Sequence, residues 1–357
     1  MRKFFNIALV LWLIYTTAVG GTNAKSAEQR RVASTETTAS RAVSLSAKAT
    51  TTDELIGLLP ASDLIALIDA RRAFNDLLPR MAGVSIMGLD RLAKEIQEFI
   101  TKTGIDPTKA QNAVVGLSLA GTQAKGAFII QGLDLDDQKL EAAMRAYKTE
   151  FKTSEYKGKQ IYSITGKVRS PSAGPLSLKT DESAVATLGQ QKIVLGDLSA
   201  VKNVIDIHLG AAKGGVTAAM IGALNETKNS ALVRFALNIP ENLRQEAMTQ
   251  GDLFKSVAAI KMILGTFDVA NDLSLSLDTI MRTPSQNEAS ELESGLRGLL
   301  SLARGFLGGG DPKLDFYAQL LDQVKIGSKL SDVSLSITLP RSLMDQLSKK
   351  PTSEEKK

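Results

Sequence analysis

Asp332 to Pro340, Asp-Val-Ser-Leu-Ser-Ile-Thr-Leu-Pro, alternates apolar and small polar residues without a break. Successive side chains of a strand point to opposite faces, so this stretch reads as a half-buried β-strand. Val333, Leu335, Ile337 and Leu339 are expected to face a core, and Ser334, Ser336 and Thr338 the other side. Asp272 to Asp278, Asp-Leu-Ser-Leu-Ser-Leu-Asp, has the same period and places Ser274 and Ser276 on its polar side. A chain organised around such stretches needs a sheet with one face packed and one face polar.

Composition decides which classes remain open. The 357 residues suffice for one large domain or two ordinary ones. Cysteine is absent, which excludes disulfides, a thiol nucleophile, thiolate metal ligands and a lipid-acylated cysteine. The formal charge of +5 falls to +3 once Arg2 and Lys3 are set aside, too weak a balance to argue for nucleic acid. Met1-Arg2-Lys3, the apolar run Ile7 to Tyr15 and the small-residue end Thr22-Asn23-Ala24 match a secretory signal peptide over 1–24. That run is short of the ~20 residues that span a bilayer, although an uncleaved segment would tether the protein to a membrane. The expected location is therefore periplasmic or extracellular.

Residues 25–52, rich in Ser, Thr and Ala, lack the large apolar side chains that offset ordering entropy and read as a disordered linker. Beyond them, Leu64 to Ile68 is predicted as a buried strand. Leu89, Leu92, Ile96, Phe99 and Ile100 lie at helical spacing up to a stop at Gly104. Ala113 to Leu119 and Gly126 to Gln131 read as paired strands, and Asp134, Asp136 and Asp137 as the start of a helix. Tyr156 to Tyr162 turns about Gly158, Ala184 to Leu195 forms another hairpin, and Asp197 caps a helix that ends at Gly210. The three glycines of Gly210 to Gly215 mark the best boundary. After it come a strand at Leu232 to Ile239, a helix after Pro240, two strands, the long helix Ser285 to Leu307 with Leu292, Leu296, Leu299, Leu300, Ala303 and Phe306 inward, a helix from Pro312, two more strands and a last helix.

The element order before Gly215 nearly repeats after it, so the expected fold is α+β with two similar halves, 53–215 and 216–347, each an antiparallel sheet with helices on one face. Residues 348–357 form a polar tail.

The search for chemistry is mostly exclusion. His208, the sole histidine, sits two residues before a helix stop, where a cation suits the helix end. Ser199-Ala200-Val201-Lys202 fits Ser-x-x-Lys, but the Ser-Asp-Asn and Lys-Thr-Gly partners of that chemistry are absent downstream. Asp134, Asp136, Asp137 and Glu141 lack the spacing of a calcium loop, and the glycine runs lack Gly-Lys-Ser/Thr. No catalytic residue, metal site or cofactor is expected. Arg145, Lys148, Lys152, Lys157, Lys159, Lys167 and Arg169, interleaved with Tyr147, Tyr156 and Tyr162, form a candidate surface for an anionic lipid or polymer. Ser274, Ser276, Ser334, Ser336 and Thr338 form a candidate polar sheet face.

Leu-Leu-Pro-Ala-Ser-Asp before a buried strand, Tyr-Lys-Gly-Lys-Gln-Ile-Tyr, and the strand-to-Pro-to-helix units together resemble uncharacterised exported bacterial proteins over most of Asp53 to Leu347. The resemblance implies a structural framework and carries over no catalytic residue. Three expectations follow: a non-enzymatic envelope protein that binds a partner, an envelope protein among them, through a sheet surface or cleft; a carrier or sensor of a lipid or other apolar ligand; and a hydrolase with a dispersed site.

Overall fold

The computed structural model describes residues 51–348 apart from 82–88, 120–123, 165–182, 190, 250–251 and 308–311. The expected signal peptide, the linker up to its last two residues and the tail beyond Ser348 lie outside the described residues.

Helix α1 (Thr51–Gly57) opens two residues inside the expected linker and precedes β1 (Leu64–Ile68), five apolar residues buried on both faces. A π-helical turn (Arg72–Leu77) runs into the short α2 (Leu78–Met81), and α3 (Leu89–Thr103) ends at Gly104, whose φ of 68° suits glycine. Strands β2 (Asn112–Ser118) and β3 (Lys125–Gln131) lead to α4 (Asp137–Ala146). The Asp136 side chain caps α4 by accepting from the Lys139 amide at 2.8 Å. Then come β4 (Phe151–Tyr156) and β5 (Lys159–Ile164), whose turn residues Lys157 and Gly158 both have positive φ, as a two-residue hairpin loop requires. Strands β6 (Ser183–Gly189) and β7 (Lys192–Asp197) and helix α5 (Leu198–His208), capped by Asp197, complete the first half.

The second half runs α6 (Ala218–Asn225), β8 (Val233–Asn238), α7 (Glu241–Thr249), α8 (Asp252–Ala258), β9 (Met262–Val269), β10 (Leu275–Arg282), α9 (Gln286–Leu307), α10 (Pro312–Asp322), β11 (Val324–Lys329), β12 (Asp332–Leu339) and α11 (Arg341–Ser348).

The mixed α+β class with antiparallel strands is what the molecule has. Its twelve strands form one sheet, in the order β11-β12-β10-β9-β8-β1-β2-β3-β7-β6-β5-β4. The two halves meet where β1 pairs with β8, from Leu64 opposite Leu237 to Ile68 opposite Val233. Outward from that seam the strand order β1-β2-β3-β7-β6 matches β8-β9-β10-β12-β11, and only the β4–β5 hairpin has no counterpart.

Helices cover both faces of this sheet, not the single face expected. The reason lies in the central strand β1, which is apolar at every position, buried on both sides, and so needs cover on both. On the front, Leu64, Ala66 and Ile68 pack with Phe74, Leu77, Ile96, Phe99, Leu140 and Met144 from the π-helical turn, α3 and α4. On the back, Ile65 and Leu67 pack with Leu55 and Ile56 of α1, Val201 and Ile205 of α5, and Met220 and Leu224 of α6.

The expected boundary at Gly210 to Gly215 is a packed crossing. The Gly215 amide donates to the Leu59 carbonyl at 3.0 Å, and a Cβ at Gly215 would stand 2.2 Å from the Ala61 nitrogen. At Gly214 and Gly215 backbone runs against backbone and leaves no room for a side chain, whereas Gly210 stands in open space with a φ of 72°.

Helix α9 also departs from expectation. Ala289 and Leu292 are buried against Met281 and Val333, but Leu299 is 36 % and Phe306 76 % exposed. The helix straps the β11 edge, where Ser328 donates to Glu293 and Arg297 donates to the Ile326 carbonyl; farther along, Arg304 donates to the Leu321 carbonyl of α10 at 3.0 Å. A helix along an edge covers that edge's backbone and leaves the interior strands beside it less roofed.

Candidate functional site

The first candidate surface is split by the sheet. Tyr156, Lys152 and Lys159 lie on its back, since Tyr156 pairs with Lys159 and alternate residues share a face. Lys157 sits in the turn between them. Arg145 and Lys148 belong to the front, where Arg145 pairs with Glu141 and its guanidinium lies 5.5 Å from the Phe151 ring centre. Lys167 and Arg169 lie outside the described residues.

What joins the back group is α5. Lys202 and Lys157 place their ammonium groups 5.3 and 5.6 Å from the Tyr156 ring centre. The Tyr156 hydroxyl donates to Asp206 at 3.1 Å, and Lys157 pairs with Asp206 at 2.7 Å. These hydrogen bonds hold the Lys157 ammonium and the Tyr156 phenol above their usual ranges, and the one from Lys157 holds Asp206 below the usual carboxylate range. Lys159 donates to the Leu188 carbonyl at 3.3 Å, and the His208 imidazole turns to the same carbonyl. Burial, then the charges of Lys159 and Lys192, pushes His208 below its ordinary value, which disfavours the cation that would suit this helix end. The contact of Lys202 with Tyr156 is fixed by the hairpin and carries no signal in local spacing.

Ser199 and Lys202 do not meet as a pair. The Ser199 hydroxyl donates to the capping carboxylate of Asp197 at 2.5 Å, while Lys202 lies over Tyr156. Among the described residues no cluster of three or more His, Asp or Glu has the arrangement to hold a metal, and no helix is long and apolar enough to cross a membrane.

The polar sheet face is brought together. Ser276 pairs with Thr338, Asp278 with Ser336 and Ile280 with Ser334, so the named serines and threonine share the back of β10 and β12. Ser334 and Thr338 are exposed. Ser274, just before β10, donates its hydroxyl to Asp272 at 2.7 Å and caps the turn. This face and the basic hairpin lie toward opposite edges of the sheet: ten strand spacings separate β12 from β4, about 48 Å at 4.8 Å each.

The other side of the same strands holds a group that includes Ile337 and Leu339, both expected in the core. Phe267, Leu277, Ile337 and Val324 form one continuous row across β9, β10, β12 and β11, with Leu275 and Leu339 paired beside it. All six are only half-buried. The matching front-face row in the first half, Ala113, Ile130 and Ile193, is no more than 5 % exposed. Of the four residues of the Asp332 strand expected in the core, only Val333, beneath α9, is fully buried. Alternation reports which way a side chain points and says nothing of what lies over it.

No protein-family model matches the chain, and no curated protein matches it. Two solved structures of TP0453 are similar in arrangement, both at 6 % identity. Crystal form III gives a TM-score of 0.46 over 83 % of this chain and 98 % of that one, and crystal form I gives 0.43 over 84 % and 98 %.

Proposed function

We propose that this is an exported envelope protein with a non-enzymatic binding role, and that it carries or senses an apolar ligand held against the front of β9, β10, β12 and β11. The half-buried row Phe267, Leu277, Ile337 and Val324 carries the reading. Soluble domains rarely leave so continuous an apolar surface partly open unless something binds there. The charged N-terminus, apolar run and small-residue end of 1–24 support export.

The test is to extract the protein from its native envelope and identify bound small molecules by mass spectrometry, beside Leu277→Glu and Ile337→Glu variants. An apolar molecule carried by the parent and lost from correctly folded variants is the expected result. A parent protein that carries nothing apolar, or variants that retain the molecule, would overturn the reading.

A further inference from the structure

The repeated strand order leaves one element unaccounted for, the β4–β5 hairpin, and that hairpin bears a group of cations on the back of the sheet. Lys152 and Lys157 are exposed, and Lys159 and Lys202 are half-buried beside them. Asp206 lies within the group, held by Lys157 and Tyr156, and the exposed Glu150 stands two residues before Lys152; Glu155 is on the opposite face of β4, because it is out of phase with Lys152 and Tyr156. Among the described residues, four lysines against Asp206 and Glu150 give this patch a local excess of positive charge. The ammonium groups are positioned before any partner arrives: Lys157 by Asp206, Lys159 by the Leu188 carbonyl, and Lys202 by the Tyr156 ring.

We propose that the back of this hairpin, with α5, docks onto the anionic phosphate headgroups of a bilayer surface. Charge complementarity argues for an anionic partner. Leu209, 45 % exposed immediately beyond α5, and the half-buried Tyr156 ring among the lysines argue for a surface with apolar depth over a purely polar polyanion. Aromatic rings flanked by cations suit the level of the headgroups. This site is separate from the apolar row on the front of the second half, so the two readings stand or fall independently.

The experiment is co-sedimentation of the full chain, lacking residues 1–24, with vesicles of phosphatidylglycerol in phosphatidylcholine, and with pure phosphatidylcholine vesicles. Binding to the anionic vesicles alone, weakened by salt, is expected. Each of Lys152→Ala, Lys157→Ala, Lys159→Ala and Lys202→Ala should weaken it about fivefold, and the four together on the order of several-hundredfold. Leu209→Ser should weaken it further, while the distant pair Lys94→Ala and Lys329→Ala leaves it unchanged. Circular dichroism establishes that each variant is folded. Equal binding to neutral vesicles, a folded quadruple variant that binds like the parent, or loss of binding in the distant pair would overturn the proposal. So would tighter binding to soluble poly(glycerol phosphate) than to vesicles, with Leu209→Ser without effect.

Discussion

Asp268 joins the two halves at the level of single side chains. Its carboxylate pairs with Arg72 at 2.6 Å and Lys228 at 3.2 Å and accepts from the Leu232 amide, while Arg72 also donates to the Val269 and Ser230 carbonyls. Burial pushes the Asp268 carboxyl upward, but its bonds to Arg72, Lys228 and the Val269 amide together outweigh this and hold it below the usual value. A depressed carboxyl contributes stability that is complete above its unfolded value, about 3.9, and is lost as pH falls through the lower folded value. Asp268→Asn should therefore lower stability at neutral pH by about 2–3 kcal/mol and flatten its dependence between pH 5 and acid. Urea titrations at several pH values measure this; parallel curves for parent and variant would refute it. Gly215→Ala is a second residue-scale case: the added methyl meets the Ala61 backbone at 2.2 Å, so a loss of about 1–3 kcal/mol is expected in thermal melts. The sequence marked both regions, one as an ordinary strand end and the other as a boundary. It could not mark their partners, because Arg72 and Asp268 are brought together only by the fold.

Elements with a strong internal signal were legible. The acidic start at Asp134, Asp136 and Asp137, the cap at Asp197, the glycine stops at Gly104 and Gly210, and the alternation of β10 and β12 all produce the structures they imply. Helix α8 was passed over because seven residues hold too few turns for a periodic pattern to stand out. Helix α9 was legible as a helix but not as an edge strap, since its apolar residues occur on more than one side and local pattern cannot choose among them. Its two ends should respond differently to substitution. Leu292→Ala, under the sheet, is expected to destabilise by about 2–4 kcal/mol, while Leu302→Ser with Phe306→Ser should stay within about 0.5 kcal/mol per site. Denaturant midpoints decide it; comparable losses at both ends would mean that the exposed end packs in solution.

At the scale of the whole molecule, the repeated order of strands was visible in the sequence, but the joining of the halves was not, because pairing between β1 and β8 depends on strands far apart in the chain. That pairing makes the front core common property: Leu64 and Ile68 share it with Val233, Phe235 and Val269. Asn238 donates to the Asp63 carbonyl at 2.7 Å and Asp69 to the Leu232 carbonyl at 2.9 Å, closing both ends of the seam. Neither half can open along that seam without stripping cover from the other's central strand, so the chain should unfold as one unit in spite of its repeated architecture. The chain provides its own probes. Tyr147, Tyr156 and Tyr162 lie in the first half and Tyr317 in the second, so in a Tyr317→Phe background lacking residues 1–24 tyrosine fluorescence reports the first half while far-ultraviolet dichroism reports both. In urea the two signals are expected to trace one transition with a common midpoint, and a tryptophan introduced as Phe267→Trp should follow it from the second half. Separate midpoints would mean that the β1–β8 seam is weaker than either core, and the halves would then have to be treated as two domains that share an edge.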